Sequence, residues 1–113
     1  MSPSEPEYLQ HILDEAVYLL QSSKEVSREQ FLRDPTLRRA FVRSLEIIGE
    51  ASKQVSAESR AQLPSLDWRG MAGMRDRLIH AYFGVDYELV WEVVRTKIPR
   101  LRDLLEGLLK SPE

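Results

Sequence analysis

Apolar residues recur at three- and four-residue spacing along most of the chain. No segment alternates convincingly with period two, so the pattern predicts helices and no sheet. From about Glu5 to Gln21, the positions Leu9, Ile12, Leu13, Ala16, Val17 and Leu20 form the stripe of an amphipathic helix entered through Ser4 and Pro6. Ser27-Arg-Glu-Gln has the form of a capping box. It predicts a short helix that carries Phe31 towards the core and ends at Asp34-Pro35. Asp34 then caps a helix from Pro35 to about Val55, with Leu37, Phe41, Leu45, Ile48, Ala51 and Val55 inward and Arg38, Arg39 and Arg43 outside. Gly49 lies inside this helix at a propensity cost of about 1 kcal/mol relative to alanine. A close helix crossing would explain it.

Ser56 offers a further N-cap for a short helix ended by Pro64, and Ser65 or Asp67 begins the next helix, which runs to a break at Gly84. At about 100° per residue, Met71, Met74, Leu78 and Tyr82 fall on one arc, continued by Trp68, Ala72 and Ile79. Arg75 projects from near the middle of that arc. A permanent cation is costly there unless a paired acid, a phosphate or water meets it. His80 lies roughly 140° further round and about 7.5 Å along the axis. It follows Asp76 by one turn, which lets that carboxylate orient the imidazole. Gly70 and Gly73 weaken the helix twice within a turn, which suits another backbone approaching closely, a dimer interface being one candidate.

Gly84 suits a left-handed C-cap and Asp86 caps the final helix, Tyr87 to about Leu109, with Val90, Trp91, Val94, Ile98, Leu101, Leu105 and Leu108 inward and a kink at Pro99. His80 and Tyr82 then occupy a terminal turn, where the negative end of the helix dipole favours imidazolium. The expected class is all-α, an antiparallel bundle of four to five helices in one domain spanning 1–113.

Composition narrows the chemistry. The chain has no cysteine, so disulfides and thiolate metal sites are excluded, and a cytoplasmic setting is expected. The N-terminus lacks a signal-peptide pattern and no apolar run approaches the roughly 20 residues needed to span a bilayer, so no membrane association is expected. Net charge is −2, which gives no global attraction to nucleic acid, but the distribution is uneven. Between Trp68 and Arg102 stand Arg69, Arg75, Arg77, Arg95, Lys97, Arg100 and Arg102 against Asp76, Asp86, Glu88 and Glu92. A second cluster comprises Arg33, Arg38, Arg39 and Arg43. Either cluster could track a phosphate backbone or simply be a solvated helix face. No Gly-rich phosphate loop, zinc-ligand cluster or nucleophile elbow is present, so neither metal nor cofactor is implied. His11 is expected to be exposed on the first helix, and Trp68 and Trp91 suit the core.

Leu45-Glu-Ile-Ile-Gly-Glu-Ala-Ser-Lys, Asp67-Trp, Gly73-Met-Arg-Asp-Arg-Leu-Ile-His-Ala-Tyr-Phe-Gly-Val-Asp, Val90-Trp-Glu-Val-Val and Ile98-Pro-Arg-Leu stand in that order. Together they resemble the HepT family of HEPN-domain proteins over nearly the whole chain. The signature is an arginine, four residues, a histidine, one residue and a tyrosine, here Arg75, His80 and Tyr82. The resemblance implies a homodimeric, metal-independent endoribonuclease toxin paired with a minimal nucleotidyltransferase antitoxin. It further implies that Arg75 and His80 are catalytic where two protomers meet, and that Tyr82 receives AMP from the antitoxin. Asp76 departs from the asparagine often found after the arginine. An acid there would hold His80 as imidazolium more strongly and would repel RNA phosphate.

RNA carries its own 2′-hydroxyl nucleophile, so cleavage without metal needs a base, an acid and positive charge on the phosphoryl oxygens. One arginine and one histidine per chain supply half of that set, and two copies across a twofold axis complete it. The wide angle between Arg75 and His80 on one helix leads to the same expectation of an obligate dimer. A different class of function is a non-catalytic helical dimer that binds and steadies the nucleotidyltransferase, that partner doing the chemistry; Arg75 taken alone could be an interface salt bridge. A DNA-binding repressor lacks a clear recognition helix after a tight turn.

Overall fold

The computed structural model describes residues 5–80 and 84–110. Two long helices form its frame, α1 (Glu5–Lys24) and α3 (Pro35–Gln54), packed along each other. The predicted stripes face inward: Ile12, Ala16, Phe41, Leu45 and Ile48 are fully buried, and Leu9, Leu13 and Leu20 nearly so. His11 is exposed, as expected. The first helix runs one turn beyond its expected end at Gln21. Ser23 is buried there and its hydroxyl donates to the Leu20 carbonyl at 3.1 Å, so the polar side chain is satisfied within the helix and the chain need not turn at it.

The short helix α2 (Arg28–Arg33) begins with the predicted box: the Gln30 N–H donates to Ser27 Oγ at 3.1 Å and the Ser27 N–H to Gln30 Oε1 at 2.8 Å. It delivers Phe31, which has no exposed surface, between the rings of Phe41 and Trp91, with centroids 4.9 and 5.3 Å away. Asp34 caps α3 by accepting from the Leu37 N–H at 3.0 Å. Ser56 caps α4 (Ala57–Gln62) in the same way, accepting from Ser59 at 3.1 Å.

Gly49 stands where α3 meets α5 (Trp68–Ala72). A Cβ there would lie 2.9 Å from the Met71 carbonyl oxygen, so this glycine is what lets the two backbones touch. Trp68 is half-buried, and its indole N–H donates to the Leu63 carbonyl at 3.0 Å.

The expected single C-terminal helix divides into α7 (Tyr87–Thr96) and α8 (Ile98–Lys110) around Lys97. Pro99 has no N–H to give the Arg95 carbonyl and its ring crowds that oxygen, so the ladder breaks where the sequence predicted a kink. Val90, Val94, Ile98, Leu101 and Leu105 are buried, and Trp91 and Leu108 half-buried, which matches the predicted inward face. Helix α8 packs on α1, closing the bundle. The all-α class holds, but as eight helical segments among the described residues where four to five were expected. The two-residue strands β1 (Ile79–His80) and β2 (Gly84–Val85) form one antiparallel pair in addition. No helix among the described residues is long and apolar enough to cross a membrane.

Candidate active site

The segment from Asp67 to Asp86 departs most from the helical expectation. Asp67 caps α5 by accepting from the Gly70 N–H at 2.9 Å. A Cβ on Gly70 would overlap that same carboxylate as it sits, so a side chain there would make the cap shift. At Gly73 the helix breaks: its N–H donates to the Arg69 carbonyl at 3.0 Å as the C-cap of α5, and α6 (Met74–Leu78) starts afresh. Two glycines within four residues make continuation unfavourable, yet Met71, Met74 and Leu78 keep one buried face across the break. Met74 and Leu78 turn inward, 5% and 1% exposed, while Arg75, Asp76 and Arg77 between them face solvent. The arc of Met71, Met74 and Leu78 is buried as predicted, but the Arg75 side chain is 67% exposed and does not project into it.

The chain leaves helical geometry again at Ile79, whose N–H donates to the Arg75 carbonyl and whose φ and ψ of −111° and 116° are extended. Ile79 pairs with Val85 and His80 with Gly84. The Asp86 N–H donates to the Leu78 carbonyl at 2.8 Å, and the Asp86 carboxylate caps α7 through the Leu89 N–H at 3.1 Å. Two β-branched residues facing each other favour the extended pairing over helix. Gly84 has a φ of 78°, open to glycine at no steric cost, but it serves the strand pair and not a helix C-cap.

Two expectations are corrected as a result. Asp76 stands on α6 and His80 on β1, so the two are not one turn apart on a helix as the expectation assumed. His80 stands on β1, two residues past the end of α6, and not in the terminal helical turn from which the dipole expectation was drawn. The angle argument for the dimer, drawn on a continuous helix through Arg75 and His80, goes with them. The side chain of His80 and the whole of Tyr82 lie outside the described residues.

Arg75 itself has a partner that the local sequence did not indicate. Its Nε donates to Glu46 on α3 at 3.3 Å, with the arginine side chain 67% and the glutamate 27% exposed. At that exposure the pair adds about 0–1 kcal/mol to stability. Its larger effect is directional, since it holds the guanidinium against α3 with its NH groups open to solvent. Glu46 belongs to the Leu45-Glu-Ile-Ile block, 29 residues upstream, and only the α3–α6 contact brings the two together. On the other side of the strand pair, the Arg38 guanidinium lies over the Tyr87 ring, 4.6 Å from its centroid. One member of the upstream basic cluster thus packs beside the first residue of α7, as a cation–π contact and not as a free charge. Among the described residues no three His, Asp or Glu side chains converge in a way that could hold a metal ion.

The arrangement defines an all-α bundle that presents an exposed arginine on a one-turn helix, with a histidine carried on a short strand immediately after it. A family model described as Ribonuclease HepT-like matches residues 12–108, and the chain belongs to that family. It is 48% identical over 104 residues, 92% of this chain and 93% of the relative, to a protein of Caldanaerobacter subterraneus subsp. tengcongensis named "Putative RNase TTE0752". It is 42% identical over 110 residues, 97% of this chain and 100% of the relative, to "Probable ribonuclease HepT" of Thermococcus cleftensis. No solved structure matches the chain.

Proposed function

We propose that this chain is a metal-independent endoribonuclease acting as the toxin of a toxin–antitoxin pair, with Arg75 and His80 of two protomers forming one cleavage site. The observation that carries this reading is the coupling of the two motif positions. The carbonyl of Arg75 accepts the Ile79 N–H that ends α6, and His80 is fixed one residue later by its pairing with Gly84. An exposed guanidinium and the backbone that bears the imidazole thus stand at one corner of the fold, where α6 gives way to β1. The ribonuclease names of relatives that align over nearly the whole chain support the same chemistry.

In the proposed reaction one His80 takes the proton of the RNA 2′-hydroxyl, and the freed oxygen attacks the adjacent phosphorus. The other His80 protonates the departing 5′-oxygen, and the paired Arg75 guanidiniums bind the phosphoryl oxygens as charge builds on them. Tyr82, two residues from His80, is the proposed acceptor of AMP from a partner nucleotidyltransferase. The added phosphodiester charge and base would block the RNA phosphate. The homodimer, the partner and this regulation are parts of the same proposal.

The test is His80→Ala in purified protein. Removing a positioned acid–base is expected to lower RNA cleavage by about 10²–10⁴-fold, with the helical circular dichroism and the oligomeric state unchanged. Cleavage retained by a folded His80→Ala protein would remove the assignment. The other class of function is a non-catalytic dimer that steadies the nucleotidyltransferase. On that reading the wild type itself would cleave no RNA.

A further inference from the structure

A cavity of about 560 Å³ opens between α5 and α6 on one side and the α7–α8 junction on the other, and neither Arg75 nor Glu46 lines it. That volume falls within the usual range for a small-ligand site, about 300–1,000 Å³. Its wall includes Met71, Met74, Ile98 and Leu101, each less than a tenth exposed. Arg77, Lys97 and Arg100 line it as well, all exposed, and none is paired with a carboxylate among the described residues. This contrasts with Arg28, Lys53, Arg75 and Arg102, each of which has an acid within 4 Å. Two acids also line the cavity, but the Asp67 carboxylate is already engaged by the Gly70 N–H, which leaves Glu92.

We infer that this cavity binds one nucleotide of a single-stranded RNA, its base against the methionine and leucine side chains and its phosphate among Arg77, Lys97 and Arg100. The inference rests on the ribonuclease reading and adds to it a subsite beside the point of cleavage. An apolar wall under unpaired cations suits a ligand with a flat apolar body and a fixed anion, which is the make-up of a nucleotide. The position suits a strand rather than a free molecule. Arg75 and Arg77 stand two residues apart on α6, so they leave opposite flanks of the helix, about 200° apart, and differ by about 3 Å along its axis. A strand crossing the end of α6 reaches Arg75 with one phosphate and the cavity with a neighbouring nucleotide. The break at Lys97, forced by Pro99, turns the α7–α8 junction into the far wall, so Lys97 and Arg100 face the same opening as Arg77.

The test uses a fluorescein-labelled single-stranded RNA whose 2′-hydroxyls are methylated, so that binding is read without cleavage. Anisotropy is recorded over a salt series with wild type, Lys97→Ala/Arg100→Ala and His11→Ala. The double variant is expected to lose at least about tenfold in affinity and to flatten the plot of log affinity against log salt by about 1.4, since each lost phosphate contact accounts for about 0.7 with single strands. His11→Ala, an exposed position on α1, should bind like wild type. A 4-thiouridine in the strand should cross-link to peptides containing Met71, Met74 or Lys97. Equal binding by wild type and the double variant, or cross-links confined to other segments, would overturn the subsite. Tight binding of free AMP without strand binding would overturn it too, as would loss of binding that accompanies a change in oligomeric state. If wild type cleaves RNA while the double variant binds normally, the subsite alone fails. If wild type neither binds nor cleaves RNA, the ribonuclease reading fails with it.

Discussion

Replacing Gly49 with alanine adds one methyl group where α3 crosses α5, and its consequence can be worked out against a control in the same chain. The new Cβ would lie 2.9 Å from the Met71 carbonyl oxygen, and ordinary contact begins near 3.4 Å, so α5 must retreat by about 0.5 Å. The obstacle is backbone inside a helix and cannot rotate away. Overpacking of this kind costs about 1–3 kcal/mol, against which alanine returns about 1 kcal/mol of helix propensity. The variant is therefore expected to lose about 1 kcal/mol. Gly107 lies within α8 with nothing inside 4 Å of its ideal Cβ, so Gly107→Ala receives the same propensity gain without the clash and is expected to be stabilised by about 1 kcal/mol. The two variants should then differ by about 2 kcal/mol. Urea unfolding by circular dichroism at one fixed protein concentration measures this directly, with Trp68 fluorescence reporting on α5. If Gly49→Ala stabilises the chain as much as Gly107→Ala does, the close crossing is wrong. The Arg75–Glu46 geometry, which depends on how α5 and α6 sit against α3, would then need to be redrawn.

Three further expectations follow from the site. Glu46→Gln removes a charge that competes with phosphate for the Arg75 guanidinium, so stability should change by less than about 1 kcal/mol while uncleavable RNA binds severalfold more tightly. Unchanged or weaker binding would show that Glu46 serves chiefly to position Arg75. Asp86→Ala deletes the α7 cap beside the strand pair and should cost about 1 kcal/mol in urea unfolding; no loss would mean that the Leu89 N–H finds water as readily. Incubation with the cognate nucleotidyltransferase and ATP should add the mass of adenylate to the intact protein, and Tyr82→Phe should abolish that addition. An adduct that survives the substitution would place the modification elsewhere.

Helix existence, capping and the core were legible in the sequence because each depends on residues within a turn or two of one another. Ser27 with Gln30, Asp34 with Leu37, Ser56 with Ser59 and Asp86 with Leu89 are contacts of three residues' reach, and the 3.6-residue stripes on α1 and α3 needed no knowledge of what they would meet. Gly49 was legible for the same reason, as a defect in a strong pattern that a close crossing explains. The motif residues Arg75, His80 and Tyr82 could be named from their spacing and the surrounding blocks.

Tertiary structure alone decided how that motif is presented. Periodicity carried a single helix through Gly70 and Gly73 to Gly84, because Met71, Met74 and Leu78 keep helical spacing across the break. The break is favoured by two weak helix formers that follow the Asp67 cap. Ile79 reads as helical from its apolar neighbours, yet it pairs with Val85, a residue six positions on. The partner of Arg75 was equally hidden, since Glu46 reaches it only after α3 and α6 have packed. Local spacing fixes which side chains belong to one helical face. Which of two weak helical turns gives way, and which distant acid meets an exposed cation, depends on free-energy differences of about 1 kcal/mol that only the assembled bundle supplies.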